Sequence, residues 1–509
     1  VPELRGVLER VLDEPLVAAR DVQDVMARGR RVRARRARRG GAAKFLTAVV
    51  LATAVLRWAA ADQGGDRLRV VDGPEQPMPT TTTVPVPFHD SVKPVVPETG
   101  AAVPPPPLPA GPMAVPPVTA TDDHRRCAAG ENGGSTDVGV TDETVRIRMA
   151  ATFDGPHRTL VADAVYGARA AVDRINRAGG ICGRLLALEV TPRPFSAGIE
   201  DVLAVVAGPL HAGVRQGLLD GTVDRLGVPV IGGDGLTSEQ YGSPWAWPVG
   251  TSAASLARIT SHHAYDDLGA RTFAVVYDRT HPYGTEAAAA LAAHVGGLQG
   301  AVLRASQPID PDDPGYQDEA EAFNRACDGA CDSVLLAVAP DVVLRWLKAG
   351  AAMARRETAT LPLALTKRFP QDCRKTLSDA TCRDMAVWTP FRHPTLLLNR
   401  DLREYSWDTA GTNADASDAL MEGSYVAVRV LTDALEQVGP TVTRERLRAA
   451  LDSMTYTSGL VDVLRWGPTG PDRRQGNVSA RELRLDLDND PTRPWRDVSN
   501  HWHRDPLSP

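Results

Sequence analysis

The sequence predicts an α/β protein of two doubly wound, parallel-sheet lobes, and three observations carry that expectation. An extended run at 145–150 leads through a loop into a helix whose apolar positions are Val165, Ala168, Val172 and Ile175, and a second extended run follows at 185–190. Spacings of three and four bury one helix face, so the unit reads strand, helix, strand, which implies parallel pairing. Gly179 and Gly180 then stop the helix, because glycine takes the left-handed cap without steric cost. Finally, the alternation recurs along a chain of 509 residues, too long for one core at ~100–200 residues per domain.

The elements follow in order. The net charge of −6 hides an asymmetry: residues 1–61 hold 13 Lys/Arg against 6 Asp/Glu, or +7, which leaves −13 for the remainder. A basic end on an acidic body speaks for membrane topology and against nucleic-acid binding. Residues 28–44 carry nine basic side chains and no acid, directly before an apolar stretch, which fits a cytoplasmic segment at 1–44 under the positive-inside rule. Residues 45–61 read as a transmembrane anchor, with Lys44 and Arg57 snorkelling to the two interfaces. The rival reading is a cleaved signal, since Ala59, Ala60 and Ala61 have the small-residue pattern of a cleavage site. Residues 62–136 form a Pro/Thr-rich linker with too few large apolar side chains to offset ordering entropy, so a disordered spacer is expected.

Strands are expected at 145–149, 186–190, 203–207 and 228–231, with helices at 166–178 and 214–226 and a crossing strand at 245–249. The pattern then repeats, with helices at 254–268, 285–295, 316–326 and 342–352 and strands at 272–277, 301–305 and 333–338.

The segments GVTDETVRI, YGARAAVDRINRAGGICGRLL, AVVAGPL, LGVPVIGGDGLTSE and LGARTFAVVYDRTHPYG stand in an order and spacing that resembles type I periplasmic binding proteins. The branch they are most similar to is the branched-chain amino-acid and amide receptors of ABC importers, over roughly residues 137–488. VWTPF at 387–391 resembles the return crossing of that family, and SGLVDVLRW and ARELRLDLD resemble its closing strands. The resemblance implies a three-crossover hinge between lobe one (137–250 plus 389–455) and lobe two (251–388 plus 456–500). It also implies a small polar ligand such as an amino acid or amide, an importer permease as partner, and no cofactor.

In parallel sheets ligands bind beyond the carboxyl ends of the strands. That rule and the resemblance together nominate Phe153, Asp154, His211, Ala212, Asp234, Gly235 and Leu236 on lobe one, and Tyr283 and Asp341 on lobe two. His211 and Asp234 stand where the family has small and hydroxyl residues, so a ligand with an ammonium, an amide or several hydroxyls at that end is expected. Competing readings are a helix-start histidine and a helix-capping aspartate.

No GxSxG elbow, P-loop or HExxH motif is present, and a binding role is favoured over an enzyme. His262–His263 and His501/His503 look isolated, so no metal is expected. A transmembrane sensor with residues 1–44 as output segment is the first alternative, and a wall-associated domain that has lost binding is the second.

All six cysteines lie after the apolar stretch, which favours disulfides in an oxidising compartment. The expected pairs are Cys127–Cys182, Cys327–Cys331 and Cys373–Cys382. Protein denatured without reductant should therefore expose no thiol to an alkylating reagent, and reduction should lower Tm. Closing the loop from 127 to 182 should contribute roughly 3–4 kcal/mol on the chain-entropy account. Labelling of more than one cysteine before reduction contradicts the scheme.

Overall fold

The structure, a computed structural model, describes residues 132–151, 158–191, 198–207, 212–366, 368–393, 399–410, 418–467, 474–485, 495–499 and 501–508. The expected anchor, nearly all of the expected linker, Cys127, Phe153, Asp154 and His211 lie outside those residues. Among the described residues no helix is long and apolar enough to cross a membrane.

Lobe one opens with β1 (Thr144–Ala150), where Val145, Ile147 and Met149 are buried. α1 (Arg158–Arg177) lays Ala164, Val165, Ala168, Ala171, Val172 and Ile175 against the sheet, at the spacing the sequence indicates. The glycine turn then leads into β2 (Leu185–Thr191). Gly180 has φ +73°, and a Cβ there would stand 2.0 Å from the Arg184 carbonyl oxygen, so no other residue fits without a shift. Arg184 is fully buried and donates to the carbonyls of Thr141 (2.7 Å), Gly134 (2.6 Å) and Pro440 (3.0 Å). The turn thereby ties the start of the lobe to a segment some 250 residues downstream.

β3 (Ala204–Ala207), α2 (Ala212–Leu219), α3 (Thr222–Leu226), β4 (Val230–Gly232), α4 (Glu239–Gly242) and β5 (Ala246–Trp247) complete this part. The five strands are parallel in the order β2-β1-β3-β4-β5. Two expectations are corrected here. The single helix expected at 214–226 is two helices, because Gly221 sits in the left-handed region at φ 70°. The strand expected to cross at 245–249 is instead the edge of the first sheet at β5, paired with β4, and the crossing comes after it.

Lobe two follows as α5 (Ala253–Asp266), β6 (Thr272–Asp278), α6 (Pro282–Gly297), β7 (Val302–Ile309), α7 (Gln317–Ala326), β8 (Ser333–Ala337), α8 (Pro340–Lys348), β9 (Glu357–Thr360), α9 (Arg368–Thr376), α10 (Asp379–Arg383) and β10 (Met385–Thr389). The chain then returns through α11 (Arg400–Thr409), α12 (Ala419–Val438) and α13 (Arg444–Ser453); α12 packs on α1 and β4. A short antiparallel pair, β11 (Thr455–Tyr456) with β12 (Leu464–Arg465), precedes β13 (Ser479–Leu485), β14 (Trp495–Asp497) and β15 (His503–Arg504). The second sheet runs β14-β13-β10-β9-β8-β6-β7, with β13 antiparallel to β10 and β15 paired to β13.

Cys327–Cys331 and Cys373–Cys382 are bridged as expected, and Cys182 is disulfide-bonded. Its expected partner, Cys127, lies outside the described residues.

The three crossings between lobes meet at Asn477, which is fully buried. Its amide donates to the carbonyls of Val249 on the first crossing and Pro390 on the second, each at 3.3 Å. His393, on the second crossing, is 1 % exposed, and burial holds its pKa down to about 3. Below ~6.5 the unfolded chain takes up a proton that the folded chain refuses until about pH 3, so this residue's contribution to stability falls as pH drops through that window. Between pH 7.5 and 5 the loss should be about 2 kcal/mol. In urea unfolding, His393→Gln should show a smaller stability loss over that interval than the wild type by about this amount, whatever its stability at pH 7.5; equal losses would contradict the assignment.

Candidate functional site

The loop after β4 and the first turns of α6 come from different lobes and meet at the carboxyl ends of their strands, where ligands of parallel sheets bind. Glu286, in the first turns of α6, accepts hydrogen bonds from the Ser238 backbone N–H (3.0 and 3.2 Å to its two oxygens) and from the Ser238 hydroxyl (2.7 Å). Burial raises the Glu286 pKa, the hydrogen bonds from Ser238 oppose that, and the charge of Glu239 adds to it. The contact is a polar latch between the lobes.

Beside it stands Tyr283, 4 % exposed, with its ring 4.4 Å from that of His281 and its hydroxyl 3.4 Å from Asp278 Oδ2. Asp278 Oδ1 is held by the backbone N–H (2.7 Å) and hydroxyl (2.6 Å) of Thr280. Burial raises the Tyr283 pKa most, followed by the charge of Asp278 and, more weakly, those of Asp341 and Asp234. Acids of both lobes, Asp278 and Asp341 on one side and Asp234 on the other, thus act on one phenol.

The other nominated residues have distinct places. Asp234 Oδ1 accepts from Leu236 N–H (2.9 Å) and Gln240 Nε2 (2.7 Å), which closes an Asx-type turn, and it does not cap α4, whose N-cap is Ser238. Gly235 has φ +68°, and a Cβ there would come within 2.7 Å of the Gly250 backbone, so this position serves the contact between two chain segments. Its carbonyl accepts from the Tyr241 hydroxyl. Leu236 is 1 % exposed and packs in the core. Gly235 and Leu236, expected to line the ligand loop, are engaged in a backbone contact and in the core respectively. Ala212 opens α2, and Asp341, exposed in the first turn of α8, pairs with Arg345 at 3.3 Å. Of the nominated set, Asp234, Tyr283 and Asp341 are thus drawn to one region.

Sequence reasoning missed Glu286, Asp278 and Gln240. A signal for Glu286 existed: it is the sole carboxylate in an alanine-rich helix, PYGTEAAAALAAHVGG, that starts at a ligand-side strand end.

The family model for periplasmic binding proteins matches residues 144–480, well over half of the chain. The chain belongs to that family. As a periplasmic binding protein it is a binder and not an enzyme. No curated protein matches the sequence.

Solved structures share the fold at low identity. A fatty acid ABC transporter substrate-binding protein from Thermomonospora curvata has 17 % identity and a TM-score of 0.60, covering 74 % of this chain and 96 % of that one. An extracellular ligand-binding receptor from Verminephrobacter eiseniae has 19 % identity and a TM-score of 0.57, covering 67 % and 98 %. A branched-chain amino acid transporter substrate-binding protein from Streptococcus pneumoniae, solved with isoleucine, has 14 % identity and a TM-score of 0.56, covering 70 % and 98 %.

If the latch holds the lobes together, Glu286→Ala should expand the unliganded protein, read as a larger radius of gyration in solution scattering. Hydrogen bonds to a charged acceptor contribute ~1.5–3 kcal/mol, less at a half-exposed site. Ser238→Ala removes the hydroxyl but keeps the backbone N–H, so its effect should be smaller. An unchanged radius in Glu286→Ala would show that the latch does not hold the lobes.

Proposed function

We propose that this periplasmic binding protein is an extracytoplasmic solute receptor that closes its lobes on a small ligand and delivers it to an ABC importer of the branched-chain amino-acid and amide class. The observation that carries the reading is the meeting of the loop after β4 with α6, because that is where a ligand would be enclosed and where closure is registered by Ser238 and Glu286. Membrane tethering through residues 45–61 and a spacer at 62–136 belongs to the same proposal and rests on the sequence pattern alone.

The ligand class follows from charge. Asp234, Asp278 and Asp341 all act on Tyr283, so an incoming carboxylate would meet carboxylates at that end. At ~4 Å the repulsion is ~1 kcal/mol in water and several times more in a partly buried cleft. A ligand that presents an ammonium or amide there is favoured over one that presents a carboxylate. Phe153, Asp154 and His211 stay candidates on the sequence pattern alone.

Thermal unfolding against leucine, isoleucine, amides, polyamines and a fatty acid tests this. A true ligand at 100 times its Kd should stabilise by ~2.7 kcal/mol. Asp234→Asn should weaken a cationic ligand strongly and a neutral polyol mildly. Stabilisation by the fatty acid alone would overturn the charge argument, and no response to any class would favour a domain that has lost binding.

A further inference from the structure

Lobe two has a second polar cluster, buried between α5 and the face of its sheet. Glu357 opens β9, at the end of that strand opposite the edge where ligand loops lie, so the cluster is separate from the cleft. His263 of α5 is anchored there by Asp267, whose Oδ2 lies 2.7 Å from Nδ1. The other ring nitrogen, Nε2, faces Glu482 Oε2 at 3.7 Å. That distance is too long for a hydrogen bond. It is what two ligands span when each stands ~2.0–2.2 Å from one shared ion at a wide tetrahedral angle.

Glu357 supplies the third group, and the ligand atoms of His263, Glu357 and Glu482 all lie within 4.8 Å of one another. Glu357 is 1 % exposed; Oε1 accepts from the Trp388 indole at 3.3 Å, while Oε2 has no hydrogen-bond partner. A carboxyl oxygen buried without a partner is costly unless something answers it. Glu482 Oε1 is occupied by Arg484 Nε at 2.5 Å, which directs the second oxygen toward His263.

We infer that His263, Glu357 and Glu482 form a binding site for a divalent transition-metal ion of the zinc class, with Asp267 as the positioning residue for His263. One imidazole and two carboxylates without a thiolate suit zinc or a neighbouring first-row dication. The Asp267–His263 pair is the outer-shell arrangement that fixes a ligand imidazole's tautomer and aim. The site joins α5, β9 and β13, so an ion there staples the segment after the third crossing to the body of the lobe. His503, with its ring 4.9 Å from that of His263, could instead ligate together with Asp267, and the test separates the two sets.

The full, untagged chain, stripped with a chelator, is titrated with Zn²⁺ and with Mn²⁺ by calorimetry and by thermal unfolding. One ion per chain and a metal-dependent rise in Tm are expected. Glu357→Gln keeps the shape and the Trp388 contact but removes a metal-ligating carboxyl oxygen, so its metal-free Tm should equal or exceed that of the wild type while its affinity falls at least tenfold. His503→Gln should bind within about twofold of the wild type. Should Glu357→Gln fold poorly, loss of the metal-dependent Tm rise in Glu482→Gln decides in the same way. The inference is overturned if the wild type binds neither ion, if the glutamate variants bind as it does, or if His503→Gln abolishes binding.

Discussion

The amide of Asn477 is where the three passages between the lobes are held to one another. Its Nδ2 donates to a carbonyl on the first crossing and one on the second, and its Oδ1 accepts from the backbone N–H (3.1 Å) and hydroxyl (3.0 Å) of Ser479. Two donors and two lone pairs are all that an asparagine side chain offers, and here all are engaged. Two further bonds reinforce the pin: Thr251 Oγ1 to the Ser479 carbonyl (2.7 Å), and Trp466 Nε1 to that of Pro248 (2.8 Å). A buried carbonyl that loses its partner costs ~1–3 kcal/mol, so the crossings are fixed at this level and bending must occur around it. The lobes can then rotate while each sheet stays intact.

With the pivot fixed, the lobes also touch at the first turns of α6 and the loop after β4. The Ser238–Glu286 contact and an ordinary ligand contribute energies of the same few-kcal/mol scale. A latch of that size biases the lobes without locking them, and a ligand shifts the population only by its differential affinity for the closed form. Asp234 of lobe one and Asp278 and Asp341 of lobe two all act on Tyr283, and as like charges they oppose closer approach of the lobes. In the proposed receptor role, latch and acids together would make closure conditional on what is bound.

Much of this was legible in the sequence, for physical reasons that also mark the limit. The βαβ unit around Gly179–Gly180 was readable because helix periodicity, glycine caps and apolar strands are local properties. The two short disulfide loops were readable because each closes over a few residues. By contrast β9, ETAT, is buried throughout yet has only one apolar residue, so nothing in its pattern announces a central strand. Glu286 and Asn477 were illegible in their roles because their partners stand 48 and up to 228 residues away. Asp234 could be assigned to the loop after the fourth strand, but that its carboxylate closes its own turn depends on Gln240, six residues on.

The histidine pair shows the same limit at its sharpest. His262 and His263 are neighbours on α5, and successive helical residues point about 100° apart, so one of them can face the sheet while the other cannot. His262 is 42 % exposed and meets Asp266 at 3.1 Å, whereas His263 is 11 % exposed and lies against Trp388 and Glu482. Strand parity supplies the other half: Trp388 pairs with Glu482, so both project to one face, and Glu357, bonded to the Trp388 indole, joins them there. Helix phase and strand register each look unremarkable alone. Only their coincidence puts an imidazole and two carboxylates around one point, which is why residues dismissed as isolated by spacing become a cluster in the fold.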